Sequence, residues 1–159
     1  MSVVIPRGAM LKERVEKLDV RVIEADNIAD SSFSVGGIKT LDEIFKEEEP
    51  DIVHTHASLS ARIAAKRNGI KVVNTRHCLE ENKRGIKKAV YGLVNNSLSD
   101  RVIGVSEAVC RNLEADGIKQ DKLRLVYNGI FPLKEIDSAK KNALRERLGI
   151  LPQNVVVGM

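Results

Sequence analysis

Short β-branched runs alternate with longer segments of helical periodicity along the chain, and no other feature restricts the fold as much. The runs are VVI at 3–5, VRVIEA at 20–25, DIVHT at 51–55, KVVNT at 71–75, RVIGV at 101–105, LRLVY at 123–127 and VVVG at 155–158. Most are apolar on both faces, as strands are when helices cover each side. Between them, 10–18, 38–48, 59–68, 83–98, 107–116 and 138–148 read as helices. Asn68-Gly69 and Asp116-Gly117 supply stops, because glycine tolerates the left-handed geometry that ends a helix. The expected class is α/β, a Rossmann-like doubly wound parallel sheet with helices on both faces.

The 159 residues suit one domain of ordinary size. The ends of the chain are unusual for a whole one: VVI has no helix or Gly-rich turn before it, and VVVGM stops inside a strand-like run. The reading is a fragment, with a Rossmann-like domain at 1–131 that lacks its first strand. Residues 132–159 then supply a linker, a helix and the first strand of a further domain, and Pro132 marks the break.

A net charge of +4 with 30% charged residues favours anionic ligands or a membrane surface, and 3% aromatics argues against base-stacking surfaces, so no nucleic-acid partner is expected. Cys78 and Cys110 have no CxxC spacing, so neither a disulfide framework nor a thiolate zinc site is indicated, and a reducing cytoplasm suits them. No apolar run is long enough to span a bilayer, and the start MSVVIPRG lacks the apolar core of a signal peptide. The expected location is cytoplasmic, with peripheral contact at the inner membrane surface as an extension.

The chain has three histidines, and DIVHTHAS carries two of them. In a parallel sheet ligands gather outside the carboxyl ends of the strands, where His54, His56 and His77 all fall. The two-residue spacing puts His54 and His56 on one face of the strand. Ser106 and Glu107 follow IGV and open a helix whose amides can receive an anion, although Ser-Glu-Ala is equally a plain N-cap. Asn128 and Gly129 end the next run. Arg76 reads either as a solvated charge or as a phosphate contact. Lys83, Arg84, Lys87 and Lys88 open a helix and read as a solvated face or as a surface for anionic lipid or substrate. SVGGIKT at 34–40 has the wrong spacing for a phosphate loop and reads as a loop and helix start. No GxGxxG follows a strand, so a nicotinamide or flavin domain has no support.

Taken in order, PDIVHTHASLSARIAAKRNGIKVVNTRH, SDRVIGVSEAVCRNLEADGI and KLRLVYNGI resemble the N-terminal, acceptor-side domain of family-4 glycosyltransferases of the GT-B fold, over about residues 51–131. The resemblance implies two Rossmann-like domains facing a cleft, with acceptor held mainly by this one and nucleotide sugar mainly by the other. His77 resembles the catalytic histidine beside the donor's sugar and phosphate. His56, Ala57, Ser58 and Cys78 resemble acceptor-lining positions, while Arg76 and Ser106 are implied donor or phosphate contacts. His54, Glu107, Asn128 and Gly129 are left as structural or cleft-lining. The acidic residue that commonly follows the YNGI turn in the family is Phe131 here.

Two family elements are absent: the opening strand with its Gly-rich loop, and the C-terminal domain with its basic clamp and paired glutamates. The implied activity is retaining hexosyl or related transfer from a nucleotide-diphosphate sugar to a hydroxyl, within a longer enzyme and absent from this piece alone. The acceptor would be a sugar, a lipid-linked molecule or a small molecule, in cell-envelope or polysaccharide biosynthesis. No metal or cofactor is implied. Unpaired edges would favour self-association of the fragment. The alternatives are a metal-dependent hydrolase using His54, His56 and His77 as ligands, and a non-catalytic Rossmann-like binding module.

Overall fold

Two parallel ladders carry the strands of the computed structural model, which describes residues 1–28, 32–56, 58–132 and 135–157. In the first, β1 (Ser2–Pro6) pairs with β2 (Arg21–Ala25), Ser2 opposite Arg21 and Pro6 opposite Ala25. The second runs in the order β3 (Ile52–Thr55), β4 (Lys71–Arg76), β5 (Arg101–Gly104), β6 (Leu123–Leu125). Helices α1 (Lys12–Glu16), α2 (Val35–Glu48), α3 (Leu59–Arg67), α4 (Gly85–Leu98) and α5 (Glu107–Ala115) occupy the crossovers. The expected α/β class with parallel strands is therefore observed, but as two ladders rather than one sheet.

Two apolar clusters hold this unit, Met1–Asn128, together. In one, Ile38, Leu41 and Phe45 of α2 meet Val53 of β3, Ala64 and Ala65 of α3, and Val72 of β4, with Val4 of β1 packed alongside. Alanines at the α3 contact let that helix approach closely, and Ala64 and Ala65 are completely buried. The second cluster is Val102 of β5, Val109 and Leu113 of α5, and Ile118. Gly69 and Gly117 close α3 and α5 with φ of +71° and +93°, which explains the stops read from the sequence.

α2 starts earlier than its periodicity indicates. The Ser34 hydroxyl accepts the Gly37 N–H at 3.1 Å, so SVGGIKT is a capped helix start and both glycines lie inside the helix. A Cβ on Gly37 would stand 2.6 Å from the Asn27 carbonyl oxygen, so a close backbone approach excludes any side chain there.

Residues Gly129–Met159 form a second compact unit. Its helix α6 (Ser138–Arg147) is capped by Asp137, whose carboxylate accepts Ala139 N–H at 2.9 Å, and it has no buried residue. Arg145 donates to the carbonyls of Leu151 at 2.6 Å and Asn154 at 2.8 Å, folding the following turn back on the helix. The strand expected at 155–158 is not formed at its described residues: Val155, Val156 and Val157 join no ladder and are exposed. A strand exists through its partner's hydrogen bonds, and among the described residues these valines have no ladder partner.

Asp100 fastens the second ladder. Its carboxylate accepts the Val72 N–H at 2.8 Å and the Lys66 ammonium, with the Lys71 ammonium at 3.6 Å. Burial alone would raise its pKa, but the Lys66 and Val72 hydrogen bonds and the two lysine charges outweigh burial and hold it at about 2. A carboxyl whose pKa is depressed on folding stabilises the fold above its unfolded value of about 3.9, and that contribution is lost as pH falls through the folded value. Asp100→Asn should cost about 1–2 kcal/mol at neutral pH and remove part of the stability loss between about pH 4 and pH 2. Urea titrations of both proteins across that range measure this, and parallel pH profiles would contradict it.

Candidate active site

β3 and β4 end side by side, with His54 opposite Val73 and Thr55 opposite Asn74. Alternation along β3 turns Val53 and Thr55 into the core and leaves Ile52, His54 and His56 on the exposed face. The buried Thr75 hydroxyl lies 2.8 Å from His54 Nε2, and His56 Nδ1 lies 2.7 Å from His77 Nε2. The three imidazoles form a stack, with ring centroids 4.8 Å apart for His54–His56 and 5.0 Å for His56–His77. The structure thus brings together all three histidines at the carboxyl edge.

One nitrogen of the His56–His77 pair must donate and the other accept, since two N–H groups cannot face each other at that distance. Partial burial, followed by the charges of His54 and His77, holds the His56 pKa below its ordinary value. A neutral His56 is therefore the form present at pH 7, and Nδ1 is the His77 nitrogen that lies outside the pair. Nearly parallel rings, 28° and 19° apart, do not aim their lone pairs at one centre about 2.0–2.1 Å away. Among the described residues no cluster of histidine, cysteine, aspartate and glutamate has metal-binding form, so the hydrolase alternative gains nothing from the donor set.

The other sequence-predicted residues are placed as follows. Ser58 caps α3, its hydroxyl accepting the Ala61 N–H at 3.2 Å, while its own N–H donates to Thr55 Oγ1 at 3.1 Å. Ser106 lies at the same edge one strand further on, and its hydroxyl caps α5 through the Val109 N–H at 3.2 Å. Glu107 is exposed and pairs with Arg111 at 3.2 Å. Cys78 is an exposed free thiol beside His77. Arg76 forms an ion pair with Glu80, so its charge is already partnered in this structure. Asn128 ends the first unit and Gly129 begins the second, both exposed. Ala57 lies outside the described residues.

The loop after His77 is pinned rather than free. Glu80 also receives Lys83 at 2.9 Å, and Lys83 reaches the buried Asp116 at 3.3 Å and the Tyr91 ring at 4.1 Å. The Asn112 side-chain amide donates to the Glu80 carbonyl at 2.9 Å. Lys83 therefore leaves the basic group read from the sequence and becomes part of the loop's anchorage.

Sequence reasoning missed Thr75, Arg62 and Asn95. Arg62 of α3 is buried, donates to Asn95 Oδ1 of α4 at 2.6 Å, and has no carboxylate partner among the described residues. This bond ties the helix after the His56 loop to the helix after the His77 loop. Cavities of about 500 Å³ beside α4 and about 300 Å³ beside α5 lie away from the histidines, which occupy an open edge.

A search of curated proteins finds no match. Among solved structures, a glycosyltransferase from Rickettsia africae ESF-5 superposes with a TM-score of 0.72 at 24% identity, covering 96% of this chain and 42% of that one. Anabaena Alr3699/HepE, solved in complex with UDP and glucose, gives 0.69 at 20% identity, with coverage of 92% and 42%. A UDP-N-acetylglucosamine 2-epimerase from Listeria monocytogenes, described as putative in its structure's name, gives 0.54 at 18% identity, covering 77% and 35%. This chain thus spans less than half of each of these proteins. At such identities the likeness shows the fold, that of the GT-B enzymes, and a transferase and an epimerase share it. The sequence profile described as Glycosyltransferase Family 4 is narrower, and it matches residues 1–132. By that match, over most of its length, the chain belongs to glycosyltransferase family 4.

Proposed function

We propose that this chain is the acceptor-side part of a longer enzyme that transfers a sugar, with retention, from a nucleotide diphosphate to a hydroxyl acceptor. The observation that carries this reading is the His56–His77 pair, 2.7 Å apart on an open carboxyl edge and with no bond to a carboxylate among the described residues. An edge of that kind supplies one wall of a cleft, and a second domain supplies the other. His77 meets the donor's leaving phosphate through Nδ1, where a hydrogen bond strengthens as negative charge develops. Cys78 and the turn containing His56 and Ser58 face the acceptor. The Anabaena neighbour's UDP, and the UDP-glucose of a further complex of that protein, support a nucleotide-sugar donor. Hexosyl transfer within cell-envelope or polysaccharide synthesis, in the cytoplasm, is the setting this reading adopts.

The test compares the 159-residue chain with the full-length protein, using UDP-hexoses and a panel of hydroxyl acceptors. Full-length protein should form a glycoside whose anomeric configuration matches the donor's, while residues 1–159 alone show no turnover. Full activity from residues 1–159 would overturn the division between the domains, and an inverted product would overturn retention. Sugar-nucleotide epimerisation without glycoside formation would remove the transferase reading itself.

A further inference from the structure

His56 meets His77 in a straight line. The ring centroids are 5.0 Å apart and the facing nitrogens 2.7 Å apart, and two ring radii fill the difference, so His56 Nδ1 and His77 Nε2 both lie on the line joining the ring centres. A ring N–H points outward along that line, which is the geometry of a well-formed hydrogen bond. The backbone that carries His56 is tied on either side. Before it, Thr55 is buried, and the His54 ring lies 2.8 Å from the buried Thr75 hydroxyl. After it, the Ser58 N–H donates to Thr55 Oγ1 at 3.1 Å, and the Ser58 hydroxyl caps α3. The His54 ring flanks His56 with centroids 4.8 Å apart, so the fold itself sets the aim of the His56 ring.

The one proton in this bond decides what His77 presents on its far side. A neutral imidazole carries a single N–H, so when His56 Nδ1–H donates, His77 Nε2 accepts and the His77 proton stands on Nδ1. When His77 Nε2–H donates instead, its Nδ1 is a bare lone pair, which repels an anion. A phosphate at Nδ1 therefore needs the first arrangement. We propose that His56 is a positioning residue that donates to His77 and holds it in the Nδ1–H tautomer, the form that offers a hydrogen bond to the leaving phosphate. This role differs from acceptor lining because His56 acts through His77. The effect on rate rests on the transferase reading, while the place of the proton does not.

Proton-detected imidazole nitrogen NMR of the 159-residue chain at about pH 8, above the ordinary imidazole range, reads the tautomer with no substrate present. The parent should show His77 protonated at Nδ1. His56→Ala should move that proton to Nε2, the form an unconstrained histidine favours, and His56→Asn, whose amide can donate from the place of Nδ1, should return it. In the full-length protein His56→Ala should lower kcat about ten-fold or more with KM within about two-fold, and His56→Asn should recover kcat to within about three-fold of the parent. The side chain is exposed, so circular dichroism and melting should be unchanged in both variants. A parent His77 protonated at Nε2 or at both nitrogens, or a tautomer that His56→Ala leaves in place, would overturn the proposal. So would an acceptor KM that rises while kcat holds, which would assign His56 to acceptor binding. Should the full-length protein form no glycoside, the transferase reading falls, and the spectra alone decide whether His56 sets the proton on His77.

Discussion

In the longer enzyme proposed above, His77→Ala should lower kcat by about 10²–10³ while raising KM far less, the result expected when an interaction worth roughly 2–4 kcal/mol exists mainly in the transition state. The size follows from the place. His77 follows β4 next to His56, and its Nε2 lies 2.7 Å from His56 Nδ1, which leaves Nδ1 as the nitrogen that the proposed phosphate contact would use. An exposed imidazole contributes little to the core, so the substitution should leave circular dichroism and the melting profile unchanged. His54→Ala provides the contrast. Its ring is held by the buried Thr75 at 2.8 Å, and its loss should appear in stability or acceptor binding rather than in kcat. Steady-state kinetics giving near-normal kcat for a folded His77 variant would reduce that residue to a structural histidine.

That the three histidines meet was legible in the sequence, for reasons that can be stated residue by residue. A period of two placed His54 and His56 on one face, and the rule that parallel strands present their carboxyl ends together placed His77 beside them. What the histidines touch was not legible. Thr75 becomes the partner of His54 only once β3 and β4 are in register, and register is a tertiary quantity. Arg76 and Glu80 are four apart, a spacing that signifies pairing on a helix, but they lie in a strand end and a loop, where only the folded path brings them together. Lys83 looked like one of four similar cations until the loop folded across Asp116 and Tyr91 and withdrew it. The serines carry the plainest lesson. Ser58 and Ser106 stand where a ligand contact and an N-cap look alike in sequence, and both hydroxyls accept helix amides. Residues 155–157 join no ladder for a different reason, since β-branched composition proposes a strand and only a neighbouring ladder makes one.

The Arg62–Asn95 bond should prove asymmetric when each side is removed in turn. Asn95→Ala strips the guanidinium of its 2.6 Å acceptor and leaves a buried cation with, among the described residues, the Ser58 carbonyl at 3.4 Å. Burial already lowers the Arg62 pKa, the sign of a charge held away from water. Such an uncompensated cation should cost about 3 kcal/mol or more. Arg62→Met keeps most of the aliphatic volume, takes the charge away and leaves only a neutral amide short of one donor, while Asn95 still donates to the Tyr91 carbonyl at 2.8 Å. That variant should cost about 1–2 kcal/mol, because an unmet amide is cheaper than an unmet charge. The double variant Arg62→Met/Asn95→Leu should be more stable than Asn95→Ala, since both polar groups then leave the interior together. Urea denaturation of the 159-residue chain measures all three, and equal losses for Asn95→Ala and Arg62→Met would show that packing rather than charge sets the cost. The site is linked to this result. α3 and α4 begin after the loops that carry His56 and His77, so loosening the joint between those helices should let the two imidazoles drift apart. In Asn95→Ala the His56–His77 hydrogen bond, followed by imidazole nitrogen NMR, should weaken before the fold is lost.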